Sequence, residues 1–176
     1  MDQLIFDLLE KKLVTNQVVL DVGYDIENMA KGYTGPVHID HYGRKVPRAA
    51  HGTVSLEHHT SSTKKLLQET LALYDRITLP QLLVRRITVT VGRLIAEGSL
   101  TSQKEAVVQF NLFDNMEERT HQEEAKERSA QKEKSLQHAM LAIRHKFGKN
   151  AVLKAANLKE EARTIARNSE IGGHKA

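Results

Sequence analysis

Nine histidines and a scatter of carboxylates are the residues whose types could support metal or acid–base chemistry in this chain. His38 and His41 flank Asp40, and His58 and His59 stand side by side. A zinc or iron site needs three or four such ligands converging on one point. Adjacent residues of a strand point to opposite faces, so only one of His58 and His59 can join a shared site. His38, His41 and His58 are therefore the set on which a metal-dependent enzyme would be built, against polar surface or anion-contacting histidine. Asp21, Asp25 and Glu27 are the nearest carboxylates to a two-metal nucleotidyl-transfer site, but no second acidic cluster complements them. Solvated turn carboxylates account for them. Cysteine is absent, which excludes disulfides, thiolate metal ligands and a cysteine nucleophile. Gly172-Gly173 lies at the end of the chain rather than between a strand and a helix, so it is not a phosphate loop. No catalytic residue, metal site or cofactor emerges from this reading.

Basic side chains suggest binding instead. The net charge is +4, and the sequence pI is about 9.3. Arg44, Lys45 and Arg48 occupy a Gly- and Pro-rich loop, Lys64 and Lys65 open a helix, and Arg85 and Arg86 begin a strand. Backbone N–H groups at a helix start also favour phosphate. Ser55, Thr88 and Thr90 share one strand face with this set. Cations for phosphates and hydroxyls for positioning suit backbone contact with a nucleic acid, without sequence reading. The same composition also describes a solvated sheet face, and both readings stay open.

The elements that must position these groups follow from periodicity. With 176 residues, 40% apolar and 27% charged, the chain supports one domain of ordinary size plus extensions. Leu4, Ile5, Leu8, Leu9 and Leu13 predict a helix from Asp2 to Val14, capped by Asp2. Val18, Leu20, Val22 and Tyr24 then alternate with polar neighbours as a strand. A long loop punctuated by Gly32, Gly35-Pro36, Gly43 and Pro47 leads to a second strand, from Gly52 to His59. Thr60-Ser61-Ser62-Thr63 caps a second helix whose stripe is Leu66, Leu67, Thr70, Leu71, Tyr74 and Ile77. A third strand covers Leu83 to Leu94, with Ile87, Val89 and Val91 opposite Arg86, Thr88 and Thr90. The expected fold class is α+β, an antiparallel sheet with both helices on one face and a polar, partly basic face left open. No apolar run nears the roughly 18 residues of a membrane span, and no secretory signal is visible, so a cytoplasmic location is expected.

Beyond Glu97 the alternation stops. Residues 98–116 read as a linker containing Gln109-Phe110-Asn111-Leu112-Phe113. Two large apolar side chains end a short polar segment there, and no local helix or strand buries them, which marks a docking peptide. The segment resembles the Gln-x-x-Leu-Phe peptide that binds the bacterial sliding clamp. By that resemblance Leu112 and Phe113 fill an apolar pocket and the Gln109 amide fixes the register. Residues 117–134 are dense in both charge signs, as a solvated helix or a disordered spacer. A last helix is predicted from Leu136 to Phe147, ended by Gly148, and the terminus from Gly172 is flexible by composition. The expected domains are thus 1–97, 98–116 and 117–176.

Three stretches together resemble a family: Leu13-Val14-Thr15-Asn16-Gln17-Val18-Val19-Leu20 through Gly23-Tyr24-Asp25, His51-Gly52-Thr53 through Thr60-Ser61-Ser62-Thr63, and Leu83-Val84-Arg85-Arg86-Ile87. They are similar to the little-finger domain of Y-family translesion DNA polymerases of the UmuC/MucB/ImpB kind from Gram-positive bacteria. Lys146-Phe147-Gly148-Lys149-Asn150-Ala151 and Ile171 to Ala176 resemble the C-terminal ends of the same proteins. The resemblance implies a DNA-repair role in the SOS response. It also implies a β-α-β-β-α-β unit against template and primer backbones, followed by the clamp peptide. It carries no catalytic role to any residue here, because the palm that holds the active site has no counterpart in the chain. It also implies a sheet one strand short, since the family's little finger opens with a strand before its first helix. The expectation is a non-enzymatic, DNA- and clamp-binding C-terminal portion of such a polymerase. The alternative is a stand-alone clamp ligand that competes with polymerases or complements a separately encoded catalytic half.

Overall fold

In chain order the first part of the computed structural model runs α1 (Asp2–Glu10), β1 (Leu13–Tyr24), α2 (Glu27–Ala30), β2 (Val37–Ile39), β3 (Lys45–Pro47), β4 (Ala50–Thr60), α3 (Thr63–Ile77), β5 (Val84–Gly92) and β6 (Ile95–Ala96), closing on a 3₁₀ turn over Glu97–Ser102. The structure describes residues 1–102, 116–160, 162–171 and 174–175. Two compact units divide the chain, Met1–Val108 and Gln109–Ala176. The clamp-type peptide with Gln109, Leu112 and Phe113 lies outside the described residues.

The sheet is built on β1. It pairs antiparallel with β4 on one side and β5 on the other, while β6 pairs with its first two residues. Val18, Leu20, Val22 and Tyr24 are all 5% exposed or less, and the residues between them stay partly open. That is the period-two pattern expected of a strand with one covered face. Among the described residues, neither β4 nor β5 carries a strand on its far side.

Helix α3 covers the apolar face. Its Leu73 joins Leu20, Val22 and Tyr24, with Val54, Ile77, Leu82 and Val89 packed around them. Approach is close at Gly52, where a Cβ would stand 2.9 Å from methyl groups of both Leu73 and Ile77. Ser62 caps the helix by accepting the Lys65 N–H at 3.2 Å, as the serine- and threonine-rich run predicts. The buried Thr70 hydroxyl donates to the Leu66 carbonyl at 2.6 Å, which satisfies it inside the core. Leu67 and Leu71 were expected in the packed stripe, but both are exposed. The contact face centres on Leu66, Thr70 and Leu73 instead.

Helix α1 packs along β1 through Ile5, Phe6, Leu8 and Leu9. It stops at Glu10 rather than Val14, because Lys12 takes a left-handed conformation (φ +52°) that breaks the helical ladder. Leu13 and Val14 fit the helical spacing, yet they pair with Ala96 and Ile95. Asp2 lies in the first turn instead of capping it, where its carboxylate still complements the helix N-terminus.

The segment expected to be a long loop is ordered. Helix α2 buries Asn28, whose Nδ2 donates to the Leu83 carbonyl at 3.0 Å and whose Oδ1 accepts the Leu83 N–H at 2.9 Å. That reciprocal pair fixes the entry to β5. After it, β2 and β3 form an antiparallel hairpin with Ile39 opposite Lys45.

In the second unit the charged stretch, expected as a solvated helix or a disordered spacer, is helical and runs without a break into the predicted last helix as α4 (Met116–Phe147). Helix-forming charged residues sustain it with little apolar content, and Arg128 pairs with Glu124 one turn earlier at 2.8 Å. Gly148, at φ +93°, ends the helix as predicted, its N–H donating to the Arg144 carbonyl at 2.9 Å. A 3₁₀ turn (Ala155–Leu158) and α5 (Thr164–Asn168) follow. The terminus, expected to be flexible, includes antiparallel pairing of β7 (Glu170–Ile171) with β8 (His174–Lys175).

Candidate nucleic-acid interface

The face of the sheet opposite Leu20 and Val22 is laid out by register. Ser55, Gln17 and Gly92 form one row across β4, β1 and β5; Thr53, Val19 and Thr90 form the next; His51, Asp21 and Thr88 form the third. Arg86 then stands opposite Gly23. Thr53, Ser55, Thr88 and Thr90 are all exposed. The expected face, with Ser55, Thr88, Thr90 and Arg86 together, is therefore formed, and Thr53 joins it.

Two irregularities shape its ends. At one end Thr15 is fully buried, its hydroxyl donating to the Gly92 carbonyl at 2.6 Å and accepting the Gln17 N–H at 3.1 Å. This ties the end of β5 to β1 at the point where the β1–β4 register shifts, with the extra residues on β4. Gln17 lies over Gly92, where a Cβ would collide with its side-chain amide. Beyond Gly92 the chain turns through Arg93 (φ +50°), whose Nη1 reaches 3.5 Å from Ser55 Oγ. Arg93 is a basic residue that the sequence reading passed over; its signal was a cation directly after a strand-ending glycine. At the other end the β1–β5 register shifts between Gly23 and Tyr24, which leaves Arg85 as the extra residue of a bulge. Arg85 and Arg86 are exposed and have no anionic partner among the described residues.

The basic residues thus collect at the two strand ends. Arg48 precedes the start of β4, at the end where Ala50 pairs with Val22 and where Arg85 and Arg86 lie. Lys64 and Lys65 follow the end of β4, where Thr60 pairs with Thr15 and where Arg93 lies. From Arg86 to Gly92, six residues of strand span about 20 Å. The hydroxyl-bearing middle rows lie between these two cationic ends.

One carboxylate interrupts the middle. Asp21 Oδ1 is 2.6 Å from His51 Nδ1, and both side chains are about half exposed. Asp21 therefore pairs locally rather than grouping with Asp25 and Glu27. Among the described residues no three His, Asp or Glu side chains are grouped to hold a metal ion. His38, His41 and His58 are not brought together.

Arg44 differs from the other cations. It lies in the β2–β3 hairpin, with Nη2 2.7 Å and Nε 2.9 Å from Asp40 Oδ2. The hydrogen bond from the Arg44 side chain, helped by the Arg44 backbone N–H, holds the Asp40 carboxyl down at about 2. The same contact raises the guanidinium above its ordinary value. The charge of Arg44 is largely balanced at home, whereas Lys45 and Arg48 beside it are exposed.

An α+β domain with one helix-covered and one open, hydroxyl- and arginine-lined face is the class these features define. Residues 1–112 match the family described as the impB/mucB/samB family C-terminal domain, and the chain belongs to that family. This is the C-terminal, little-finger region of UmuC-like Y-family polymerases, which act in translesion DNA repair. No curated protein and no solved structure matches the chain. Among the described residues no helix is long and apolar enough to cross a membrane.

Proposed function

We propose that this chain holds DNA by its backbone through the open sheet face and binds the sliding clamp through Gln109, Leu112 and Phe113. It serves as the DNA- and clamp-binding portion of a translesion polymerase in the cytoplasm, with no catalytic step of its own. The observation that carries the reading is the in-register face. Hydroxyls of Thr53, Ser55, Thr88 and Thr90 fill its middle, and Arg85, Arg86 and Arg93 stand at its ends, in a domain of a DNA-repair polymerase family. Exposed cations about 20 Å apart with hydroxyl donors between them suit contact with a phosphate backbone. Lys45, Arg48, Lys64 and Lys65 extend the cationic ends, and Arg44 contributes less because Asp40 balances it.

Fluorescence anisotropy with primer–template DNA of two unrelated sequences tests the face. Affinity should be equal for both and fall steeply with salt. Strong discrimination between them, or no salt dependence, would sink the proposal. For the peptide, immobilised clamp should capture the full chain and lose it on joint Leu112→Ala and Phe113→Ala replacement. Capture that survives both changes rules the peptide out.

A further inference from the structure

We infer that the tip of the β2–β3 hairpin is a stacking platform for an unpaired nucleobase. This inference rests on the DNA-binding reading and adds a site to it. Tyr42 is 77% exposed at the tip, yet its backbone is firmly held. Gly43, at φ +75°, lets the three-residue loop close. The Gly43 N–H donates to the Asp40 carbonyl at 3.0 Å, and the Asp40 N–H donates to the Arg44 carbonyl at 2.9 Å. Asp40 Oδ1 accepts the N–H groups of Tyr42 and Arg44, each at 2.9 Å. The Arg44 guanidinium lies 5.0 Å from the Tyr42 ring centroid, and the His41 ring meets it edge-on at 5.4 Å. The ring is thus oriented by its neighbours while most of its surface stays in water, so little conformational freedom is lost when a ligand stacks on it.

The surroundings define the ligand. Ile39, 68% exposed, and Val37 share one side of β2 and leave apolar surface on the same hairpin. Lys45, in the β2–β3 pair nearest the tip, is exposed and suits a phosphate next to a stacked base. The hairpin leads into β4 at the strand end that carries Arg85 and Arg86. A base inside a duplex has both faces covered, so only one outside the stack, in a gap, an overhang or a frayed end, can use the ring. Every base has such a face, so no base preference is expected.

The test uses the full chain with a gapped or overhanging DNA that carries 2-aminopurine in its single-stranded part, and a fully paired DNA of equal length. The wild-type chain should quench the probe. Tyr42→Ala should abolish quenching and weaken binding of the single-stranded part by roughly 5- to 100-fold, leaving duplex affinity within about twofold. Tyr42→Phe should retain both signals. The side chain is exposed, so neither variant threatens folding, and circular dichroism verifies this. Unchanged quenching and affinity in Tyr42→Ala, with salt-sensitive duplex binding intact, would overturn the platform alone and leave the exposed ring to another kind of partner. Absence of DNA binding by the wild-type chain in every form would overturn the broader reading as well.

Discussion

Arg86 and Arg44 carry the same formal charge, but the structure gives them opposite expectations in a salt titration. Arg86 is exposed on the open face with no anion beside it among the described residues, whereas Arg44 already sits 2.7 Å from Asp40. Each phosphate neutralised on B-DNA contributes about 0.9 to the slope of log affinity against log salt. A fourfold rise in salt therefore changes one contact's share of binding by about 3.5-fold. Arg86→Ala should lower the slope by about 0.9, and joint Arg85→Ala and Arg86→Ala by about 1.8. The matched control replaces a neutral pair with neutral amides: Asp40→Asn together with Arg44→Gln. It should leave the slope unchanged, even if affinity falls through loss of support for Tyr42. Anisotropy titrations between about 50 and 200 mM salt measure each slope directly. An unchanged slope on loss of both arginines, or a drop of about 0.9 in the neutral-pair control, would refute the reasoning.

Three further outcomes follow from local geometry. Asp21→Asn removes the one carboxylate in the middle rows and should tighten DNA binding about two- to fivefold; His51→Ala should then have no further effect in that background, and a double-mutant cycle of affinities checks the coupling. Asp40 has its carboxyl lowered from 3.8 to about 2, so its contribution to hairpin order is complete above 3.8 and is lost as pH falls through about 2. The side-chain carboxyl carbon shift of Asp40 should accordingly stay constant from pH 7 to about 4, and a titration of that carbon between those limits contradicts the assignment. At Gly52, valine should destabilise the first unit by about 1–3 kcal/mol in urea unfolding, and alanine by less, since flexible methyl groups of Leu73 and Ile77 are all that must move.

Periodicity made the sheet legible. The alternation of Val18, Leu20, Val22 and Tyr24, and that of Arg86 to Val91, place their side chains on the correct faces because a strand's period is fixed at two. Lys12 shows where such reasoning fails: one residue in the left-handed region ended α1, and tertiary pairing with Ile95 and Ala96 claimed Leu13 and Val14. The hairpin escaped because its strands are three residues each, too short to show a period, and Pro36 and Pro47 read as loop punctuation. The first half of α4 gave no apolar signal because its charged, helix-forming residues carry it by intrinsic propensity. Within the site, the residue types were legible but their partners were not. Nothing in the order of residues says that His51 meets Asp21, or that Arg93 reaches back to Ser55.

The placement of β1 at the centre of the sheet sets an order of assembly. The hairpin needs only contacts within about a dozen residues and can close in roughly 1–10 μs. By contrast, β1 takes both its long partners from later in the chain, and its Thr15 clamp to Gly92 joins residues 77 apart in sequence. During synthesis β1 can pair with β4 and be covered by α3 first, but its other edge stays open until β5 has been made. Loop-closure entropy and high contact order then make the docking of β5 the slow step, well after the hairpin has formed.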